Sequence, residues 1–201
     1  MAAHLRSLGR SAVVPALTEV LDGEPPYYPR FADVVAACAG AGPVVLAGHS
    51  GAGSVLPAVA ERLGDRVRAA VFVDAPLPHP GRSWFDTAPP DLRDGMKNLA
   101  HDGRLPRWHE LFPPGMVEAL VPDPALWARF VAELPRVPLP YFEEPAPRAP
   151  IAHGVYVRLS EAYDREAAEA ARLGWPVHRL DADHLAPLTR PAMVGDLLAA
   201  L

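Results

Sequence analysis

Along the chain, short apolar runs without polar alternation are interleaved with stretches of helical periodicity. Pro43-Val-Val-Leu-Ala47 and Arg68-Ala-Ala-Val-Phe-Val73 have the pattern of parallel strands covered on both faces. Val155–Leu159 and Val177–Leu180 read as two further strands, and Ser11–Val14, closed by Pro15, as a shorter one. Between them the spacing predicts helices over Met1–Leu8, Tyr28–Ala39, Val55–Leu63, Asp164–Leu173 and Pro191–Leu201. Gly9 and Gly174 follow two of these, as expected of residues that leave a helix through left-handed dihedrals. Strand and helix in alternation predict an α/β fold, a mostly parallel sheet with flanking helices.

Proline changes this picture in the middle of the chain. Residues 76–150 hold 16 of the 25 prolines and 8 of the 15 aromatic residues. The expected organisation is therefore one α/β domain over residues 1–201, with 76–150 as a Pro-rich cap insertion. A formal net charge of -5, with no basic stripe, argues against nucleic acid or an anionic membrane surface as the main partner. No apolar run approaches the ~20 residues of a membrane-spanning helix. Cys38 is the sole cysteine, which excludes an intramolecular disulfide and fits a cytoplasmic setting. It falls in a predicted amphipathic helix and is expected in the core.

The sharpest local feature is Gly48-His49-Ser50-Gly51-Ala52-Gly53, between a predicted buried strand and a predicted helix. A serine on such a tight turn is held with its hydroxyl exposed above the sheet, resembling the G-x-S-x-G nucleophile turn. Phosphate-binding loops are a poorer match, because the Gly-Lys-Ser/Thr ending and the G-x-G-x-x-G spacing are both missing. A serine hydroxyl needs a base to become a nucleophile. Of eight histidines, His184 follows the last predicted strand, which puts it at the same sheet edge as Ser50. The plainer reading of His184 is a surface residue in a polar loop.

These segments, with Ala-Val-Phe-Val-Asp-Ala before Pro-Leu-Pro and the late Asp-Ala-Asp-His-Leu, resemble the α/β-hydrolase superfamily. The nearest likeness is to its small esterase and hydroxynitrile-lyase-like branch. The resemblance implies a Ser–acid–His triad with Ser50 as nucleophile and His184 as base. It implies an acid after the strand Val155–Leu159, where Glu161 leaves the strand end directly. Asp164 is the second choice because it can instead cap a helix. Asp74, at the end of the preceding strand, is the third. The Gly51 backbone N–H is expected to be one oxyanion donor. The resemblance also implies an N-terminally shortened chain, lacking about 50 residues at usual element lengths. Ser11–Val14 would then lose its neighbours, and the chain would form a homodimer through that side or be poorly soluble.

Trp84, Phe85 and Trp108 in the cap are expected to line a substrate-binding pocket for a small molecule with an apolar acyl group. Packing of the cap on the body is the simpler role for each. His79, His101, His109 and His153 lack metal-ligand spacing, so neither metal nor cofactor is expected. The function expected is hydrolysis of an ester or thioester. The alternatives are a lyase using the same residues as acid and base, or a binding protein that keeps the turn without the chemistry.

Overall fold

The computed structural model describes residues 1–201. Four parallel strands form one sheet in the order β1 (Val44–His49), β2 (Val67–Val73), β3 (Gly154–Arg158) and β4 (Val177–Arg179). Alternate residues of β2 enter two different cores. Ala70 and Phe72 pack with Tyr156 beneath α2 (Tyr27–Cys38), α3 (Leu56–Leu63) and α8 (Asp164–Arg172). Val71 and Val73 pack with Val157, Leu159 and Val194 on the opposite face, under α10 (Pro191–Ala200), against which α1 (Ala2–Ser7) also lies. The unbroken apolar pattern of β2 reports this double cover. On β1 only one face is covered: Leu46 is buried, whereas Val45 and Ala47 are exposed.

Ser11–Val14 is not a strand. It runs as irregular chain beyond α1, with Val13 and Val14 mostly exposed. A three-residue apolar run between Ser11 and Pro15 has no facing surface to bury against, and the Arg6 guanidinium donates to the Ala12 carbonyl instead. It pairs with none of the four strands of the sheet. Cys38 is exposed at the end of α2, away from the core.

After β2 the chain leaves the sheet and returns at β3. The excursion carries α4 (Trp84–Thr87), α5 (Pro90–Leu99), α6 (Pro124–Glu133) and α7 (Leu139–Glu143). Its neck is zipped where Gly81 N–H donates to the Ala146 carbonyl and Ala146 N–H donates to the Arg82 carbonyl, both at 2.9 Å. The prolines open short helices at N1 or N2 in α5, α6 and α7, positions where the missing N–H costs no helix bond.

Candidate active site

Strand register sets the site. His49, the last residue of β1, is paired with Val73, the last of β2, and Val73 with Val157 of β3. The next residues, Ser50 and Asp74, therefore emerge side by side from adjacent strand ends. Both turn sharply there, with φ of +53° and +41°, a left-handed conformation that is strained for a residue with a side chain. Ser50 opens a 3-10 turn that runs through Val55 into α3. Two glycines make this turn fit. A Cβ on Gly48 would come within 3.0 Å of the Ala52 carbonyl oxygen, and one on Gly53 within 2.7 Å of the Ala75 Cβ. The serine turn and the aspartate turn thus abut directly. Gly51 is exposed, with open space where a Cβ would stand.

Asp74 is fully buried and accepts four hydrogen bonds. Oδ1 takes the Leu159 N–H at 2.7 Å and the Ser160 N–H at 3.1 Å. Oδ2 takes the Ser160 hydroxyl at 2.6 Å and His184 Nδ1 at 3.1 Å. Burial pushes the Asp74 pKa up, but the bonds from His184, Ser160 and Leu159 outweigh it and hold the carboxyl below the ordinary range. Tyr156, buried beneath, clamps the following residue: its hydroxyl donates to the Ala75 carbonyl at 2.8 Å.

His184 lies in the turn between β4 and α9 (Ala186–Thr189). That turn stays against the sheet because Leu180 and Ala182 N–H donate to the Arg158 and Leu159 carbonyls. Asp183 tightens it, accepting the Leu185 N–H at 2.9 Å and an Arg190 guanidinium N–H at 2.6 Å. With Nδ1 on Asp74, His184 presents Nε2 to the Ser50 hydroxyl at 3.0 Å. The backbone carbonyl of His184 is 2.8 Å from His49 Nε2. Burial, and then the neighbouring His184, lower the His49 pKa to about 4, so His49 is neutral near pH 7 and donates this bond.

The other acids proposed from the sequence stand elsewhere. Asp164 begins α8 and pairs with Arg158 at 2.7 Å and Arg179 at 2.9 Å. Glu161 is exposed in the 3-10 turn Glu161–Tyr163. Both follow β3, but the strand end points them to solvent, whereas the end of β2 buries its acid beside His184. Of that turn it is Tyr163 that reaches the site. Its ring stacks on the His184 imidazole with centroids 5.3 Å apart and planes 7° apart, a contact no sequence pattern signalled.

Trp108 lies 5.7 Å from His184, ring centroid to ring centroid. Trp84 and Phe85 do not join it. They pack with Phe142, Met96 and Leu105 in the cap's own small core, where Phe85 is buried. Ser54 ties the serine turn to the cap, donating to the Gly51 carbonyl at 2.7 Å and standing 2.9 Å from the Tyr141 hydroxyl of α7. No helix is long and apolar enough to cross a membrane.

Residues 2–197 match the family model described as "Alpha/beta hydrolase family". No curated protein matches the sequence. Among solved structures, the chain is similar to an extracellular alpha/beta-hydrolase from a Paenibacillus species, at TM-score 0.77 and 21% identity over 99% of this chain and 90% of that one. It is also similar to a pyrethroid hydrolase from Sphingobium faniae JZ-2, at TM-score 0.69 and 18% identity over 99% and 88% of the two chains. A polyneuridine aldehyde esterase mutant gives TM-score 0.66 and 16% identity over 97% and 89%. At these identities the structures speak to the shared fold.

Proposed function

The chain belongs to the alpha/beta hydrolase family and is a hydrolase, and from that premise we propose that it cleaves a carboxylic ester or thioester with an apolar acyl group. The observation that carries this reading is the position of His184, hydrogen-bonded at once to Ser50 and to a buried carboxylate. Ser50 Oγ attacks the acyl carbonyl while His184 Nε2 takes its proton. Asp74 holds the Nδ1–H tautomer and stabilises the imidazolium that forms. The negative charge on the carbonyl oxygen meets the Gly51 backbone N–H, the donor next to the nucleophile. His184 then gives its proton to the departing alcohol or thiol, leaving an acyl ester on Ser50. Water, deprotonated by His184, attacks that ester; Ser50 regains its proton and the carboxylic acid leaves. Trp108 beside His184 supports an apolar acyl group as the part of the substrate held nearest the base.

The test is Ser50→Ala with short p-nitrophenyl esters, alongside fluorophosphonate labelling of the wild-type protein. Loss of a member of such a catalytic unit costs several orders of magnitude in rate, on the order of 10⁴ or more. The expected result is covalent labelling at Ser50 and abolished hydrolysis in the folded variant. Retention of more than about a tenth of wild-type turnover would overturn the assignment. Aldehyde release from cyanohydrins without an acyl intermediate would move the chemistry to a lyase.

A further inference from the structure

His184 has to keep two hydrogen bonds in line, one from each ring nitrogen. Those bonds place the nitrogens; they constrain the plane of the ring only weakly. Three aromatic rings surround it. His49 is 4.6 Å away at 38° and Trp108 5.7 Å away at 41°, both tilted, so they fill space without fixing a plane. Tyr163 alone is parallel, 7° from the imidazole plane in an offset stack. The 3-10 turn that carries it is fixed at both ends: Tyr163 N–H donates to the carbonyl of Ser160, which itself holds Asp74, and α8 follows at once.

We propose that Tyr163 is a positioning residue for His184, a plate that holds the imidazole in the plane serving both Asp74 and Ser50. The inference rests on the hydrolase reading given above and adds a step at which the plate matters most. During acylation the Ser50 hydroxyl helps to aim the ring. Once Ser50 carries the acyl group, Nε2 has lost that partner and must face a water molecule, with only Asp74 and the Tyr163 stack to keep its direction. An electron-rich phenol face also favours the imidazolium formed when that water is deprotonated. Loss of the ring therefore slows deacylation more than acylation.

The experiment compares wild type, Tyr163→Phe and Tyr163→Leu on a p-nitrophenyl ester, with Tyr163→Met replacing the leucine variant if that one does not fold. Phe keeps the stack and loses only the hydroxyl that lies near Ser50, so it should stay within about threefold of wild type; Leu should lower kcat by about tenfold, with a smaller fall in kcat/KM and a larger burst of p-nitrophenol as acyl-enzyme accumulates. A second readout needs no turnover. The His184 Nδ1 proton, shielded against Asp74, should give a downfield NMR signal that is sharp in wild type and Tyr163→Phe and broadened in Tyr163→Leu. A folded leucine or methionine variant with wild-type kcat and a sharp signal overturns the proposal, as does an equal fall in kcat and kcat/KM. If the wild-type protein neither hydrolyses esters nor labels at Ser50, the hydrolase reading falls by itself, and the proton signal alone then judges the plate.

Discussion

Two turns follow neighbouring strands of one sheet, each bearing carboxylates, and they have opposite fates. The turn after β2 buries Asp74 completely and surrounds it with four donors. The turn after β3 leaves Glu161 in solvent and gives Asp164 to two arginines at the surface. Both carry acid in the right place along the sheet edge. The difference is what each carboxylate can do for a histidine. Asp164 competes for guanidinium partners in high dielectric, where ion pairs contribute little. Asp74 is desolvated, and its charge is sustained by four hydrogen bonds, one of which comes from His184. The β3 turn nonetheless takes part: its backbone N–H groups and the Ser160 hydroxyl bind Asp74, and its Tyr163 stacks on His184. It supports Asp74 rather than supplying the carboxylate beside His184.

The largest effect expected from breaking this contrast is that of Asp74→Asn. Removing an orienting acid can reduce kcat by about 10⁴, measurable by steady-state kinetics at matched stability. The same substitution also removes one pH dependence of stability. The folded-state pKa of Asp74 is depressed, so its contribution to stability is full above the ordinary carboxylate range and is lost as pH falls below it. Below about pH 4, the wild-type Tm should therefore drop more steeply than that of Asp74→Asn. Ser160→Ala should have a smaller effect. It removes the hydroxyl bound to the same oxygen as His184 but leaves both backbone donors in place. A fall in kcat on the order of tenfold is expected, with little change in KM. The smallest effects belong to Glu161→Gln and Asp164→Asn, which should stay within about twofold of wild-type turnover. Asp164→Asn should show only a slight, salt-sensitive fall in Tm. If either variant lost more activity than Asp74→Asn, the acid's role would pass to the β3 turn.

Local chemistry alone determined much of this protein. Runs of apolar residues and helical spacing are properties of neighbouring positions, and all four strands and the helices α1, α2, α3, α8 and α10 fall within a residue or two of where that pattern puts them, whereas α5 and α6 in the Pro-rich segment were not anticipated. Ser50 was legible because a glycine-flanked serine between strand and helix has few other conformations to adopt. His184 was legible because parallel strands bring all their C-terminal ends to one edge. The remaining features depend on distances between segments far apart in sequence. Ser11–Val14 has the residues of a strand and no surface to cover it. Phe85 and Trp108 are alike as apolar aromatics, yet one is sealed inside the cap and the other lies beside His184. The carboxylate that meets His184 ranks last of three in the sequence for the same reason. Asp74, Glu161 and Asp164 all follow strand ends, and only the pairing of β1 with β2, together with the contact of Gly53 on Ala75, brings Asp74 beside Ser50 and under His184. Register and burial arise from packing the whole sheet, so tertiary structure decided which carboxylate could hold a buried charge.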